Sequence, residues 1–259
     1  MMRRACAAIA FLLLSCLGAS AQKAFLSPFK ENYFITGVPL NTTPDYDTND
    51  LTFQLSVRFN AVQDYNGWDF FWGYTQLSVW DVYRPSNPFR ENTYMNGLYA
   101  SNDRFLAGYE HRSNGRDGDD SRSLDYAFCS YTQPFGRHLA IQATGRMGIG
   151  SIGNDYSLEL FNRYQGYFNF GIGYSGVGDR LWLKASVTPL FDGDILANCT
   201  AELAFRPFRD RDWFYITAQY HYGYDEAQID CAMPDVFLRR MLRFGVSVQP
   251  GSKLQRLFF

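Results

Sequence analysis

Several segments of the chain alternate between apolar and polar side chains with a period of two residues, which is typical of β-strands with two different faces. The alternation is clearest in four segments, residues 52–59, 181–188, 213–222 and 242–248. In the last of these, Leu242, Phe244 and Val246 alternate with Arg243, Gly245 and Ser247. Helical periodicity of comparable strength is absent between them. The pattern therefore predicts an all-β protein.

Polar, glycine-bearing stretches separate these segments and are typical of turns. They lie at residues 115–119, 150–154, 176–179, 192–194 and 209–212. A meander with short connections closes most simply into an antiparallel up-and-down β-barrel, because an open sheet of this length would leave two adhesive edges. At ~10 residues a strand the chain accommodates about twelve strands, or ten. A soluble β-sandwich, which also has one apolar and one polar face, remains an alternative.

The first twenty-one residues have the form of a secretory signal peptide. Arg3 and Arg4 precede an apolar run that ends near Leu17, and Ala19 and Ala21 form a small-residue cleavage pattern. A lipoprotein-type cleavage at Cys16 is the alternative. We therefore predict a signal peptide at 1–21 and a single barrel domain at 22–259.

Composition favours a barrel in a membrane. After the signal no apolar run approaches the ~20 residues of a membrane helix. Aromatic residues nevertheless make up 18% of the chain, with a mean hydropathy of −0.27. Tryptophan and tyrosine lie near predicted strand ends, where interfacial girdles form: Trp68, Trp72, Trp80, Tyr83, Trp213, Tyr215, Tyr222 and Tyr224. The net charge of −2 gives no indication of a nucleic-acid partner.

Three cysteines follow the signal, Cys129, Cys199 and Cys231. An odd number argues against a disulfide framework, although one pair is compatible with it. Their spacing matches no zinc pattern. Cys129 and Cys199 are expected to be small, buried residues of the barrel wall.

Residues 108–125 carry the candidate chemistry. His111 and Ser113 are two positions apart, so on a strand they project from the same face. A hairpin centred near Gly118 places Asp125 opposite His111. A nucleophile, a base and an orienting acid then lie together, as acyl transfer requires: Ser113 attacks, His111 accepts its proton and Asp125 selects the imidazole tautomer. Serine and aspartate are also common in solvated turns, so spacing alone leaves that alternative open.

Several motifs in this chain resemble the outer-membrane phospholipase A family. The resemblance covers nearly the whole mature chain, and is most specific at His111 to Arg116. The motifs are Tyr74-Thr75-Gln76, Ser86-Asn87-Pro88-Phe89-Arg90-Glu91 with Tyr94, His111-Arg112-Ser113-Asn114-Gly115-Arg116 and Ser121-Arg122-Ser123. It implies a twelve-stranded barrel of the bacterial outer membrane whose site lies on the lipid-facing outer wall. The implied activity is calcium-dependent hydrolysis of phospholipid acyl esters, as phospholipase A1, with A2 and lysophospholipase activity as further options.

The resemblance also implies residue roles. His111 and Ser113 match the base and the nucleophile, and the Gly115 N–H matches an oxyanion donor. The Arg116 carbonyl and Ser121 match Ca²⁺ contacts, and Ser86 matches the contact made by the second subunit of a reversible homodimer. Hard cations prefer such oxygen ligands. Asp117, Asp119 and Asp120 would strengthen calcium binding or form a solvated acidic turn.

One position departs from the family pattern, because Asp125 stands where the family usually has asparagine. An ionised aspartate also stabilises the imidazolium, but is costlier near lipid. Two alternative functions remain at this point: a non-enzymatic barrel with a decayed site, and a soluble secreted esterase. His138 and His221 are expected to be structural.

Overall fold

The computed structural model describes residues 25–118, 121–150, 161–191, 195–209, 213–224 and 238–248. The predicted signal peptide, the turn residues 151–154, 192–194 and 210–212, Asp119, Asp120 and Cys231 lie outside the described residues. No helix in the described ranges is long and apolar enough to cross a membrane.

The described chain is almost entirely antiparallel sheet, and the four alternating segments all fall within strands. The strands are β1 (Leu26–Pro28), β2 (Asn32–Pro39), β3 (Asp50–Tyr65), β4 (Trp68–Trp80), β5 (Phe89–Ser101), β6 (Phe105–Ser113), β7 (Ser123–Phe135), β8 (Leu139–Gly150), β9 (Phe168–Gly176), β10 (Leu181–Pro189), β11 (Ala197–Phe205), β12 (Phe214–Tyr224) and β13 (Leu238–Val248). A single π-helical turn spans Phe161–Gln165.

The sheet closes on itself. Each strand from β2 to β13 pairs with its neighbours in sequence, and β13 pairs back onto β2, with Gly245 opposite Ile35. The short β1 is a thirteenth segment that pairs with β3 beside β2. The result is a closed barrel of twelve full strands, the larger of the two counts that the chain length allows, and closure leaves no strand edge open to aggregation.

The barrel has apolar side chains on its outer face and charged side chains inside, the reverse of the distribution in a soluble protein. On β13 the Phe244 side chain is 54% exposed, whereas Arg243 beside it is 4% exposed. Arg243 points into the barrel, where its Nη2 lies 3.1 Å from Asp50 Oδ2. Apolar side chains outside and paired charges inside are the pattern of a barrel in lipid. The soluble-sandwich alternative is therefore wrong.

The segment that precedes β2 enters the lumen. Phe29 packs on Phe71, with ring centroids 5.0 Å apart. Lys30 Nζ lies 2.8 Å from Glu110 Oε2 on β6, and Glu31 Oε2 lies 2.5 Å from Lys184 Nζ on β10. These two consecutive residues thus bind two wall strands that are four positions apart in the sheet.

The two ends of the barrel differ in their connections. One end has tight turns, such as the Asn66–Gly67 link between β3 and β4. The other carries the longer loops 40–49, 81–88 and 114–122. Outer-membrane barrels combine short periplasmic turns with long extracellular loops. The loop that follows Ser113 therefore lies at the extracellular rim.

Some expectations about individual residues were wrong. Tyr215 and Tyr224 are buried instead of forming a girdle: Tyr215 falls on the inward phase of β12, and Tyr224 packs against Tyr164 and Leu190. Cys129 is exposed on the outer wall, since it lies on the outward phase of β7. The strand expected from Ser121 begins at Ser123, because Asn114 closes the preceding loop.

Candidate active site

The β6–β7 hairpin brings His111 and Asp125 directly opposite each other in the sheet. His111 Nδ1 lies 2.9 Å from Asp125 Oδ1. A carboxylate can only accept a hydrogen bond, so this contact requires a proton on Nδ1 and leaves Nε2 free to act as a base. His111 and Asp125 therefore lie in contact, as the predicted hairpin requires.

His111 and Ser113 lie on the outer face of β6. The residues that alternate with them, Glu110 and Arg112, line the lumen. The described residues show no hydrogen bond from the Ser113 hydroxyl to His111, although the two side chains share a face. Such contacts commonly tighten only when substrate binds.

Asp125 has a second partner, Tyr109, whose hydroxyl donates to the same Oδ1 atom. Tyr109 lies two positions before His111 on the outer face of β6. Asp125 itself is 6% exposed, which is unusual for a carboxylate on an apolar wall. Sequence spacing did not identify Tyr109, since tyrosines are frequent in this chain and this contact runs diagonally between strands.

The side chain of Asn114 organises the loop after Ser113. Its Oδ1 accepts hydrogen bonds from the backbone N–H groups of Arg116, at 3.2 Å, and Arg122, at 3.0 Å. The backbone N–H of Asn114 donates to the Arg122 carbonyl at 3.1 Å. Asn114 is buried, and these bonds hold the two ends of the loop together. Its role also escaped the sequence analysis, where it was only part of a motif.

Gly115 occupies a conformation that other residues rarely adopt, with φ +69°. A Cβ atom at this position would lie 2.6 Å from Cε2 of the Tyr94 ring. Tyr94 is the β5 partner of Ser113 in the sheet. Glycine is therefore required at position 115 for two reasons, the backbone angle and the close approach of the Tyr94 ring.

The three residues expected to contact calcium lie in two neighbouring loops. Arg116 and Ser121 belong to loop 114–122, where the Ser121 N–H donates to the Gly118 carbonyl at 3.2 Å. The Arg116 side chain lies 3.7 Å from Glu91 and 3.3 Å from the Arg90 carbonyl, at the start of β5. Ser86 is exposed in loop 81–88. Within the described ranges, no group of three His, Cys, Asp or Glu side chains could hold a metal.

The other histidines lie away from this site. His221 is buried in the lumen, where Nε2 lies 3.1 Å from the Tyr224 carbonyl oxygen and Nδ1 lies 3.2 Å from Thr200 Oγ1. His138 lies in the turn before β8, and its Nδ1 is 3.5 Å from Ser175 Oγ. Both contacts agree with structural roles.

A family model described as phospholipase A1 matches residues 19–235, a range that contains the whole site. This chain belongs to the phospholipase A1 family. The family match supports the predicted enzyme class, a phospholipase. No curated protein sequence matches the chain.

Solved structures of outer-membrane phospholipases share the fold of this phospholipase. The Salmonella typhi protein, described as a dimer with bound calcium, is 21% identical, with 89% of this chain and 94% of that one covered and a TM-score of 0.73. Outer membrane phospholipase A from Escherichia coli is 22% identical, with 87% and 99% covered and a TM-score of 0.73. The predicted barrel class is confirmed, and the predicted location in the outer membrane agrees with these relatives.

Proposed function

We propose that this phospholipase hydrolyses the acyl esters of membrane phospholipids through an acyl-enzyme on Ser113, with Ca²⁺ as its cofactor. The observation that carries the residue assignment is the hydrogen bond between His111 Nδ1 and Asp125 Oδ1, beside Ser113 on the outer wall. Position A1 follows from the family, and A2 and lysophospholipase activity are part of the proposal.

In this mechanism the Ser113 hydroxyl attacks the ester carbonyl while His111 Nε2 accepts its proton. The same proton then passes to the departing alcohol. Water next attacks the acyl-enzyme while His111 accepts a proton from it, and His111 returns that proton to Ser113 as the fatty acid leaves. Asp125 keeps the proton on Nδ1 and stabilises the imidazolium that forms. Gly115 donates its backbone N–H to the oxygen that becomes negative.

The phospholipid substrate would reach the site by lateral diffusion in the membrane. Leu98 on β5 pairs with Tyr109, and Met147 on β8 pairs with Ala127, so both flank the hairpin on the outer wall. Leu98 is 66% exposed and Met147 is 65% exposed. These apolar side chains offer a surface for acyl chains, while the rim loops meet the headgroup.

The loop chemistry fits a calcium ion. The ligands expected are the Arg116 carbonyl, the Ser121 hydroxyl and Ser86 from a second subunit, all of them oxygens, and calcium prefers oxygen ligands. Asn114 holds together the two ends of the loop that contains Arg116 and Ser121. When bound, the ion would supply positive charge near the developing oxyanion.

Polar side chains on the lipid-facing wall support a reversible homodimer. Gln76 Nε2 donates to Ser78 Oγ at 3.1 Å, and Ser78 Oγ donates to Asn92 Oδ1 at 2.7 Å. Amide groups that face hydrocarbon are costly unless they are paired. A second copy of this wall would offer matching donors and acceptors to Gln76 Oε1 and Asn92 Nδ2, the amide atoms at the two ends of the row.

The test is release of fatty acid from phospholipid in detergent micelles, with calcium and with a chelator, by wild type and Ser113→Ala. Wild type with calcium should be active, and both the chelator and Ser113→Ala should abolish release. The matched control is Ser130→Ala, which loses one hydroxyl bonded to Thr144 at 2.7 Å on the inner face of β7 and should behave as wild type. Equal release by wild type and Ser113→Ala would reject the proposal and favour a non-enzymatic barrel.

A second prediction concerns the acid at position 125. The Asp125→Asn variant should remain active and tolerate acid better than wild type, with the acidic limb of its pH–rate profile lower by roughly one pH unit. A neutral amide orients His111 but stabilises the imidazolium less, so the base stays unprotonated at lower pH. Asp103→Asn, in a turn at the opposite end of the barrel, controls for the loss of one negative charge. Identical acidic limbs for wild type and Asp125→Asn would contradict this account.

A further inference from the structure

Asp125 is a carboxylate on an apolar wall, and both of its side-chain partners donate to the same oxygen. His111 Nδ1 lies 2.9 Å from Oδ1, and the Tyr109 hydroxyl also donates to Oδ1. Asp125 is nearly buried, whereas Tyr109 is 41% exposed. The phenol therefore reaches the carboxylate from the lipid-facing surface without belonging to the predicted triad.

The sheet register explains why this contact forms. Tyr109 pairs with Ala127, and His111 pairs with Asp125. Tyr109 and Asp125 are thus diagonal neighbours, about 7 to 8 Å apart at the backbone, a separation that a tyrosine side chain spans. Because Ala127 ends at its Cβ, the position opposite Tyr109 leaves room for the ring to turn towards Asp125.

We propose that Tyr109 is a positioning residue of the catalytic site, an inference that rests on the triad proposed above. A carboxylate cannot donate, so the phenol O–H donates and shares the negative charge of Oδ1 with the imidazole. This bond compensates part of the cost of placing a carboxylate beside lipid and holds the Asp125 rotamer. It also limits how strongly Asp125 stabilises the imidazolium, and so sets the acid sensitivity of the enzyme.

Few other charged groups share the outer face with Asp125. Tyr94 on β5 is titratable, while Asn96, the β5 partner of His111, is neutral. On β8 the partner of Asp125 is Gly150. Beyond this face, Glu110, Arg112 and Arg146 line the lumen, and the described part of the rim loop carries Arg116, Asp117 and Arg122.

The test is a double-mutant cycle with Tyr109→Phe and Asp125→Asn, in which kcat and KM are measured across pH in calcium-containing micelles. Tyr109→Phe alone should lower kcat by roughly three- to tenfold, with KM nearly unchanged. Its acidic limb should move to higher pH by roughly half a unit, because Asp125 then interacts more strongly with His111. When Asp125→Asn is already present, adding Tyr109→Phe should leave the acidic limb in place.

The matched control is Tyr131→Phe. Tyr131 is a similarly exposed tyrosine on the outer face of β7 whose hydroxyl donates to Gln133 at 2.7 Å, near the opposite end of the barrel. It should leave kcat and the pH profile unchanged. An unmoved acidic limb in Tyr109→Phe, or an equal shift with and without Asp125→Asn, would overturn the inference. Residual activity of Ser113→Ala at the wild-type level would instead reject the triad itself.

Discussion

Ser113→Ala is expected to lower kcat by at least about 10⁴-fold, and His111→Ala by a similar factor. Without the hydroxyl there is no atom to form the acyl-enzyme, and without the imidazole the hydroxyl keeps its proton. Because the two residues act as one unit, the double variant should lose little more than either single variant. The measurement is single-turnover fatty-acid release in micelles with calcium.

The non-additivity of Ser113→Ala and His111→Ala tests whether the two residues act in the same catalytic step. If Ser113 and His111 contributed independently, the double variant would lose the product of the two factors. That result would contradict a common catalytic step, even if both single variants were inactive. Heat-modifiable gel mobility of each variant provides the control for a folded barrel.

Gly115→Ala is expected to lower kcat by roughly 10²- to 10³-fold, the effect of losing one oxyanion donor. The new Cβ would lie 2.6 Å from the Tyr94 ring, and φ of +69° is strained for alanine. The loop must then move, which displaces the Gly115 N–H from the reacting carbonyl. KM should change far less than kcat, because the apolar wall that holds the acyl chains is untouched.

Gly118 offers a matched control in the same loop. It also has a positive φ, +58°, but nothing lies within 4 Å of a Cβ at this position. Gly118→Ala should therefore keep kcat close to wild type despite a similar backbone strain. Adding Tyr94→Ala to Gly115→Ala removes the ring and should recover part of the lost rate. Equal effects of Gly115→Ala and Gly118→Ala would show that the ring contact is unimportant.

The hairpin is the part of the site that the sequence predicted best. Its loop is short, so a centre near Gly118 determines which residues face each other, and Asp125 does pair with His111. The roles of Ser113 and Gly115 rested on the resemblance to the family, because serine and glycine are too common in turns to carry an assignment by spacing.

Contacts between more distant segments escaped the sequence analysis. Tyr94 packs against Gly115 because β5 is the sheet neighbour of β6. Lys30 reaches Glu110 directly behind His111, through a segment that enters the lumen before the first full strand. Neither contact has a local pattern, since each depends on how the sheet closes.

The period-two alternation by itself determined that this protein is all-β and that each strand has one apolar and one polar face. It could not decide which face meets solvent, because a sandwich and a barrel have the same alternation. Only the closed sheet decided this, with Phe244 outside and Arg243 bound to Asp50 inside. The same closure puts the outward phase of β6 and β7, with His111, Ser113 and Asp125, on the lipid-facing wall.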